Sequence, residues 1–101
     1  MAYNFTTMQF EWDPKKDLAN QKKHGIGFEE VKELFLSDDD YLERFDEAHS
    51  FVEERFIAIG PIRRGIVVVV YCERVDDSLR IISARWATES EKDLYRRYME
   101  Q

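Results

Sequence analysis

The sequence predicts an α+β fold in which an antiparallel sheet carries helices on one face. Two predicted helices, the first from its start and stop signals and the second from its apolar spacing, precede a run of short segments rich in Val, Ile and aromatic residues. Only short connections separate those later segments, and strands joined in this way pair antiparallel. Helices grouped on one face of such a sheet are typical of the α+β class. We therefore expect one domain over residues 1–101, with its elements in the order β-α-α-β-β-β-β-α.

The first predicted helix has clear start and stop signals. Asp13 is a good N-cap residue, and Pro14 is suited to the first helical position. The helix is expected to continue to about Lys23 and to end at Gly25. Because it contains few apolar residues, it should lie on the surface.

Two further helices are predicted downstream. Residues 28–36 have the apolar spacing of a helix that faces a core. Thr88 and Glu91 form a capping box, which predicts the start of a C-terminal helix.

The strands are predicted from alternation and from β-branched residues. Residues 66–71 are nearly all Val and Ile, which is typical of a central strand covered on both faces. Turns are expected at Arg64-Gly65 and at 76–78. The other expected strands are 8–12, 41–45, 52–60 and 79–85.

Charge and cysteine content restrict the class of protein. The net charge of −6 argues against a general nucleic-acid binder but permits a local basic patch, since the acidic residues are concentrated in 38–54. The single cysteine, Cys72, excludes an intramolecular disulfide and fits a reducing cytosol. We expect no signal peptide in 1–10 and no membrane span.

His24 is the best candidate for acid–base chemistry because an imidazole titrates near neutral pH. Alternatively, a histidine at the end of a helix stabilises the helix dipole. His24 and His49 lie far apart in the sequence without partners at metal-binding spacing, so we expect no metal site.

Four arginines lie on or beside the predicted strands, and guanidinium groups bind phosphates well. In a straight last strand, Arg85 would share a face with Ser83 and Arg80 would point the other way, whereas a bend or an end position would bring the two arginines together. The alternative role is salt bridging to the many acidic residues. Trp12 could stack on a base or could belong to the core. The four arginines are Arg55, Arg74, Arg80 and Arg85.

Several blocks in a fixed order give the chain a resemblance to a known family. It resembles the BrnT family of toxins from type II toxin–antitoxin modules, over about residues 8–97. The blocks include Phe10-Glu11-Trp12-Asp13-Pro14, Lys23-His24-Gly25, Glu54-Arg55-Phe56 and Arg80-Ile81-Ile82-Ser83-Ala84-Arg85.

The resemblance implies a RelE-like fold and a cytoplasmic endoribonuclease that inhibits translation, and we expect it to need no metal or other cofactor. It also implies a BrnA-like antitoxin partner with a ribbon-helix-helix DNA-binding domain, in a heterotetramer. This chain would then bind RNA and not read DNA itself. Two alternatives remain. One is a non-catalytic binding module, or an inactive toxin relative, that only partners such a repressor, and the other is a metal-dependent hydrolase whose activity EDTA would abolish.

The resemblance and the residue chemistry together nominate site residues. The residues expected to act in catalysis are His24, Lys23, Arg55, Arg74 and Arg85. The residues expected to contact RNA around them are Trp12, Lys16, Arg80 and Ser83.

Overall fold

The order of elements is the predicted one, β-α-α-β-β-β-β-α, in the computed structural model, which describes residues 8–49, 53–74 and 77–101. The predicted strand start at Val52 and the predicted turn residue Asp76 lie outside these ranges. A short 3-10 helix at Glu47–His49, between the second and third strands, was not predicted. The elements are β1 (Gln9–Glu11), α1 (Pro14–His24), α2 (Phe28–Leu36), β2 (Leu42–Phe45), β3 (Phe56–Ile62), β4 (Gly65–Glu73), β5 (Ser78–Trp86) and α3 (Glu89–Met99).

The strands form one sheet in the order β1-β5-β4-β3-β2. The Val- and Ile-rich strand β4 is central, as predicted. Strands β2 to β5 pair antiparallel, whereas β1 pairs parallel with β5, with Gln9 opposite Ser78. The prediction of a wholly antiparallel sheet is therefore wrong for β1. The reason is that no short hairpin joins β1 to its neighbour, since two helices and three strands separate them in the sequence.

The helices cover both faces of the sheet, so the prediction that they share one face is also wrong. Helix α2 packs on the face that carries Ala58 and Val67. Helix α3 packs on the opposite face, where Tyr95 meets Ile59 and Val68. Because β3 and β4 carry apolar side chains at successive positions, both of their faces need cover from water.

Strand β5 contains a bulge that changes which residues share a face. Val70 lies opposite Ser83 but Tyr71 lies opposite Ile81, so Ile82 is an extra residue in β5. A bulge reverses the alternation beyond it. Arg80 therefore shares the α3 face with Ser83 and Arg85, contrary to the prediction for a straight strand.

The predicted helix ends are confirmed. The Asp13 carboxylate accepts a hydrogen bond from the Lys15 backbone N–H, and Gly25 ends α1 in the left-handed conformation with a φ of 70°. Thr88 and Glu91 form the reciprocal capping box of α3. In the part of the chain that the structure describes, no helix is long and apolar enough to cross a membrane.

Gly60 sets how closely α2 and β3 approach. A Cβ atom at this position would lie 2.6 Å from both Leu34 Cδ1 and Tyr41 Cβ. Because Tyr41 Cβ is attached to the backbone and cannot rotate away, Gly60→Ala should push the two layers apart. We expect the free energy of unfolding to fall by about 1–3 kcal/mol. Urea denaturation measures this change, and an unchanged midpoint would show that the layers adjust without cost.

Candidate functional site

The predicted arginines are gathered on the face of the sheet that also carries α3. On β5, Arg80, Ser83 and Arg85 lie opposite β4 residues whose side chains point to this face. Arg55 directly precedes β3 and Arg74 directly follows β4. The charges of both act on Cys72, which lies opposite Arg80 on this face. We call the four arginines and Ser83 together the arginine face. Its extent between the β5 arginines is about 13 Å, the length of four residues along β4.

A cavity of about 160 Å³ lies at one end of the arginine face. Its polar lining comes from His24 at the end of α1, Ser83 and Arg85 on β5, and Glu91 in the first turn of α3. Val68 and Val70 of β4 contribute apolar lining. The cavity thus places an imidazole, a hydroxyl and a guanidinium around one small space.

The position of His24 depends on Asn20, one turn earlier in α1. Asn20 is buried, which is unusual for a polar residue in a surface helix. Its side chain accepts a hydrogen bond from the Ala84 N–H (3.1 Å) and donates one to the Ile26 carbonyl (2.9 Å). Because β1 pairs only with the start of β5, the later edge of β5 needs such a partner. Asn20 therefore holds α1 against β5 and brings His24 to the cavity.

Arg85 forms a two-pronged ion pair with Glu91. Its two Nη atoms lie 2.7 and 2.8 Å from the two carboxylate oxygens of Glu91. The hydrogen bonds from Arg85 are the largest cause of a pKa of about 2 for Glu91, and the Thr88 backbone N–H adds to the effect. Glu91 is therefore negatively charged at neutral pH.

The other strand arginines also contact carboxylates. Arg74 lies 3.1 Å from Glu11 and 3.6 Å from Glu53, and Arg80 lies 3.7 Å from Glu11. These contacts agree with the salt-bridge alternative. However, each guanidinium has five N–H donors, and the side chains of Arg74 and Arg80 remain 39% and 32% exposed. They can therefore contact an anion while keeping these ion pairs.

Three of the nominated residues do not join the cavity or the arginine face. Lys16 and Lys23 are exposed on α1 and do not line the cavity. Trp12 packs with the core on the α2 side, with its ring centroid 6.1 Å from that of Phe28. The Lys32 ammonium lies 5.2 Å from the centroid of the Trp12 ring. These positions favour a core role for Trp12. The RNA contacts expected of Trp12 and Lys16 and the catalytic role expected of Lys23 stay predictions.

Cys72 lies opposite Arg80, on the same face of the sheet, but is buried, with 2% of its surface exposed. Burial raises the pKa of its thiol, and a hydrogen bond with Glu53 adds to the rise, while the charges of Arg55 and Arg74 oppose it. The thiol is therefore protonated at neutral pH and is a poor nucleophile. Over residues 8–49, 53–74 and 77–101, no group of three or more His, Cys, Asp or Glu side chains could hold a metal ion.

Sequence reasoning missed three residues of this site. Glu91 was recognised only as part of a capping box, although a carboxylate six residues after Arg85 is within reach of a charge partner. Asn20 gives a weaker signal, as a residue one helical turn before His24. Glu11, which contacts two arginines, could be assigned only once the parallel pairing of β1 with β5 was known.

The chain is similar to ribonuclease toxins in both sequence and structure. A family described as the ribonuclease toxin BrnT of type II toxin–antitoxin systems matches residues 12–91. The crystal structure of the ribonuclease toxin BrnT from Brucella abortus matches with a TM-score of 0.65 and 26% sequence identity, covering 82% of this chain and 100% of that one. No curated protein matches the chain.

Proposed function

Since the chain belongs to the BrnT family of ribonuclease toxins of type II toxin–antitoxin systems, we propose that it cleaves RNA at the arginine face without a metal ion. The observation that carries the proposal is the cavity in which His24, Ser83 and Arg85 meet. A phosphate group placed there would contact a positive charge and a group able to transfer a proton. The sequence alone does not show that the imidazole, the hydroxyl and the guanidinium meet in one place.

The proposed reaction is an in-line transfer within the RNA chain. The 2′-hydroxyl loses its proton and its oxygen attacks the adjacent phosphorus, while the bond from phosphorus to the 5′-oxygen breaks and that oxygen gains a proton. His24 carries out one of these two proton transfers. Arg85 stabilises the negative charge that develops on the phosphate oxygens. The products are a 2′,3′-cyclic phosphate and a 5′-hydroxyl.

The remaining arginines bind the RNA backbone on one side of the reacting phosphate, because all three lie at the end of the arginine face that is far from the cavity. Arg80 lies about 13 Å from Arg85 along the strand, too far for both to serve one phosphate from extended positions. Arg80 and Arg74 therefore contact a neighbouring phosphate, and Arg55 contributes charge from the start of β3. Ser83 donates a hydrogen bond to the phosphate in the cavity.

We further propose that RNA cleavage inhibits translation in the cytoplasm and that a BrnA-like antitoxin neutralises the chain. The family's membership in type II systems supports a protein antitoxin. The finer expectations are a ribbon-helix-helix domain on that antitoxin and a heterotetrameric complex. In such a complex, the antitoxin contacts operator DNA and this chain does not.

A second candidate function is supported by the ion pairs of the arginine face. If Glu11, Glu53 and Glu91 only neutralise the arginines, the chain is a non-catalytic partner of a repressor. Incubating the purified protein with single-stranded RNA in EDTA distinguishes the two functions. We expect fragments from the wild type and none from the His24→Ala, Arg85→Ala double variant. Intact RNA with the wild type, together with harmless induced expression, would support the binding module.

A further inference from the structure

Glu91 connects the start of α3 to the cavity through both of its carboxylate oxygens. Oε1 accepts hydrogen bonds from Arg85 Nη1 (2.7 Å) and from the Thr88 backbone N–H (2.8 Å). Oε2 accepts one from Arg85 Nη2 (2.8 Å). The Glu91 side chain thus caps α3 and forms a bidentate ion pair with Arg85 at the same time.

The bidentate ion pair with Glu91 uses only one edge of the Arg85 guanidinium. Glu91 occupies the end formed by Nη1 and Nη2, and Nη1 also donates to the Trp86 carbonyl at 3.3 Å. The other bidentate edge consists of Nε and the second N–H of Nη2. In the described residues, no hydrogen bond uses Arg85 Nε. That edge remains available for two oxygens of a phosphate.

A guanidinium held in place before the substrate binds stabilises the transition state better than a mobile one. A free arginine side chain samples many rotamers, and ordering it on substrate binding costs entropy. Groups that already point at the place where charge develops avoid this cost during the reaction. The two-pronged contact with Glu91 fixes both the position and the plane of the Arg85 guanidinium.

We propose that Glu91 is a positioning residue, which holds Arg85 so that its Nε and Nη2 edge faces the phosphate in the cavity. This inference rests on the proposed ribonuclease function. Glu91 does not itself contact the RNA, because Arg85 and the Thr88 backbone N–H occupy its oxygens.

The capping role and the positioning role can be separated by mutation. The Glu91→Gln variant keeps an acceptor for the Thr88 N–H, since glutamine also serves in capping boxes, but it loses the charge that holds Arg85. The Thr88→Ala variant removes the hydroxyl that accepts the Glu91 backbone N–H at 3.3 Å and leaves the Arg85 contact intact. The two variants affect the same helix start, so Thr88→Ala is the matched control.

The experiment measures cleavage of a short single-stranded RNA by the wild type and both variants. We expect Glu91→Gln to lower kcat by about tenfold or more with a KM within about threefold of the wild type, because a displaced catalytic group slows the chemical step. We expect Thr88→Ala to keep the wild-type kcat while its Tm falls by about 4–8 °C. Equal kcat values for Glu91→Gln and wild type, or equal losses in both variants, would overturn the positioning role.

A spectroscopic measurement tests, independently of activity, whether Glu91 restrains the Arg85 side chain. In the wild type, the ¹⁵N–¹H signals of the Arg85 side chain should show slow rotation of the guanidinium, and Glu91→Gln should remove this restriction. A freely rotating Arg85 in the wild type would overturn the inference even if the protein cleaves RNA. If Arg85 is restrained but the wild type does not cleave RNA, the proposed function is wrong. The positioning role of Glu91 in catalysis is then overturned with it.

Discussion

Replacing Arg85 with alanine is expected to lower kcat for RNA cleavage by about 10²–10³-fold, the loss typical for one group that stabilises transition-state charge. Arg85 lines the cavity beside His24 and Ser83 and is 42% exposed, so a phosphate can reach it. Single-turnover cleavage of a short RNA measures the effect.

Two controls separate this loss from unfolding and from a change in net charge. Circular dichroism should show that Arg85→Ala keeps its secondary structure, since the guanidinium lies outside both hydrophobic clusters. Arg97→Ala removes the same charge from an exposed position on α3 that does not line the cavity. We expect this variant to cleave RNA at the wild-type rate. An equal loss in both variants would mean that overall charge, and not the position of Arg85, supports cleavage.

Replacing His24 with alanine is expected to lower kcat by about 10²–10⁴-fold, the usual contribution of a group that transfers a proton in the transition state. Alanine favours the helix, and His24 makes none of the hydrogen bonds that hold α1 to β5, so the fold should persist. The kcat of purified variants under saturating RNA measures the effect.

Lys22→Ala is the matched control for His24→Ala. Lys22 lies in the same last turn of α1, is exposed, and does not line the cavity. We expect it to retain wild-type activity and stability. If His24→Ala also retained activity, His24 would only stabilise the end of the helix, and proton transfer would have to come from another group.

Local signals in the sequence predicted the helices well because each signal acts within a few residues. Asp13 and Pro14 start α1, Gly25 ends it, and the capping box starts α3, all as predicted. The central position of β4 also followed from its composition. Pairing between distant segments was harder to predict from the sequence, as the parallel pairing of β1 with β5 shows. That pairing depends on the path of the two helices and three strands that separate β1 from β5 in the sequence.

The arrangement of the arginines was the least predictable part of the site. The bulge at Ile82 places Arg80 and Arg85 on one face, yet no glycine or proline in β5 marks it. The role of Glu91 was hidden by its capping motif. The resemblance to the family pointed to these arginines, whereas their common face depends on a backbone irregularity that the amino-acid pattern of β5 does not signal.

The most direct measurement of the proposed chemistry is the identity of the RNA ends that the purified wild-type protein produces in EDTA. Attack by the 2′-hydroxyl leaves a 2′,3′-cyclic phosphate and a 5′-hydroxyl, and a substrate with a single 2′-deoxy sugar at the cleavage position should remain intact. We expect both results. A 5′-phosphate product, cleavage of the deoxy substrate, or cleavage that disappears in EDTA would contradict metal-free transfer at the arginine face.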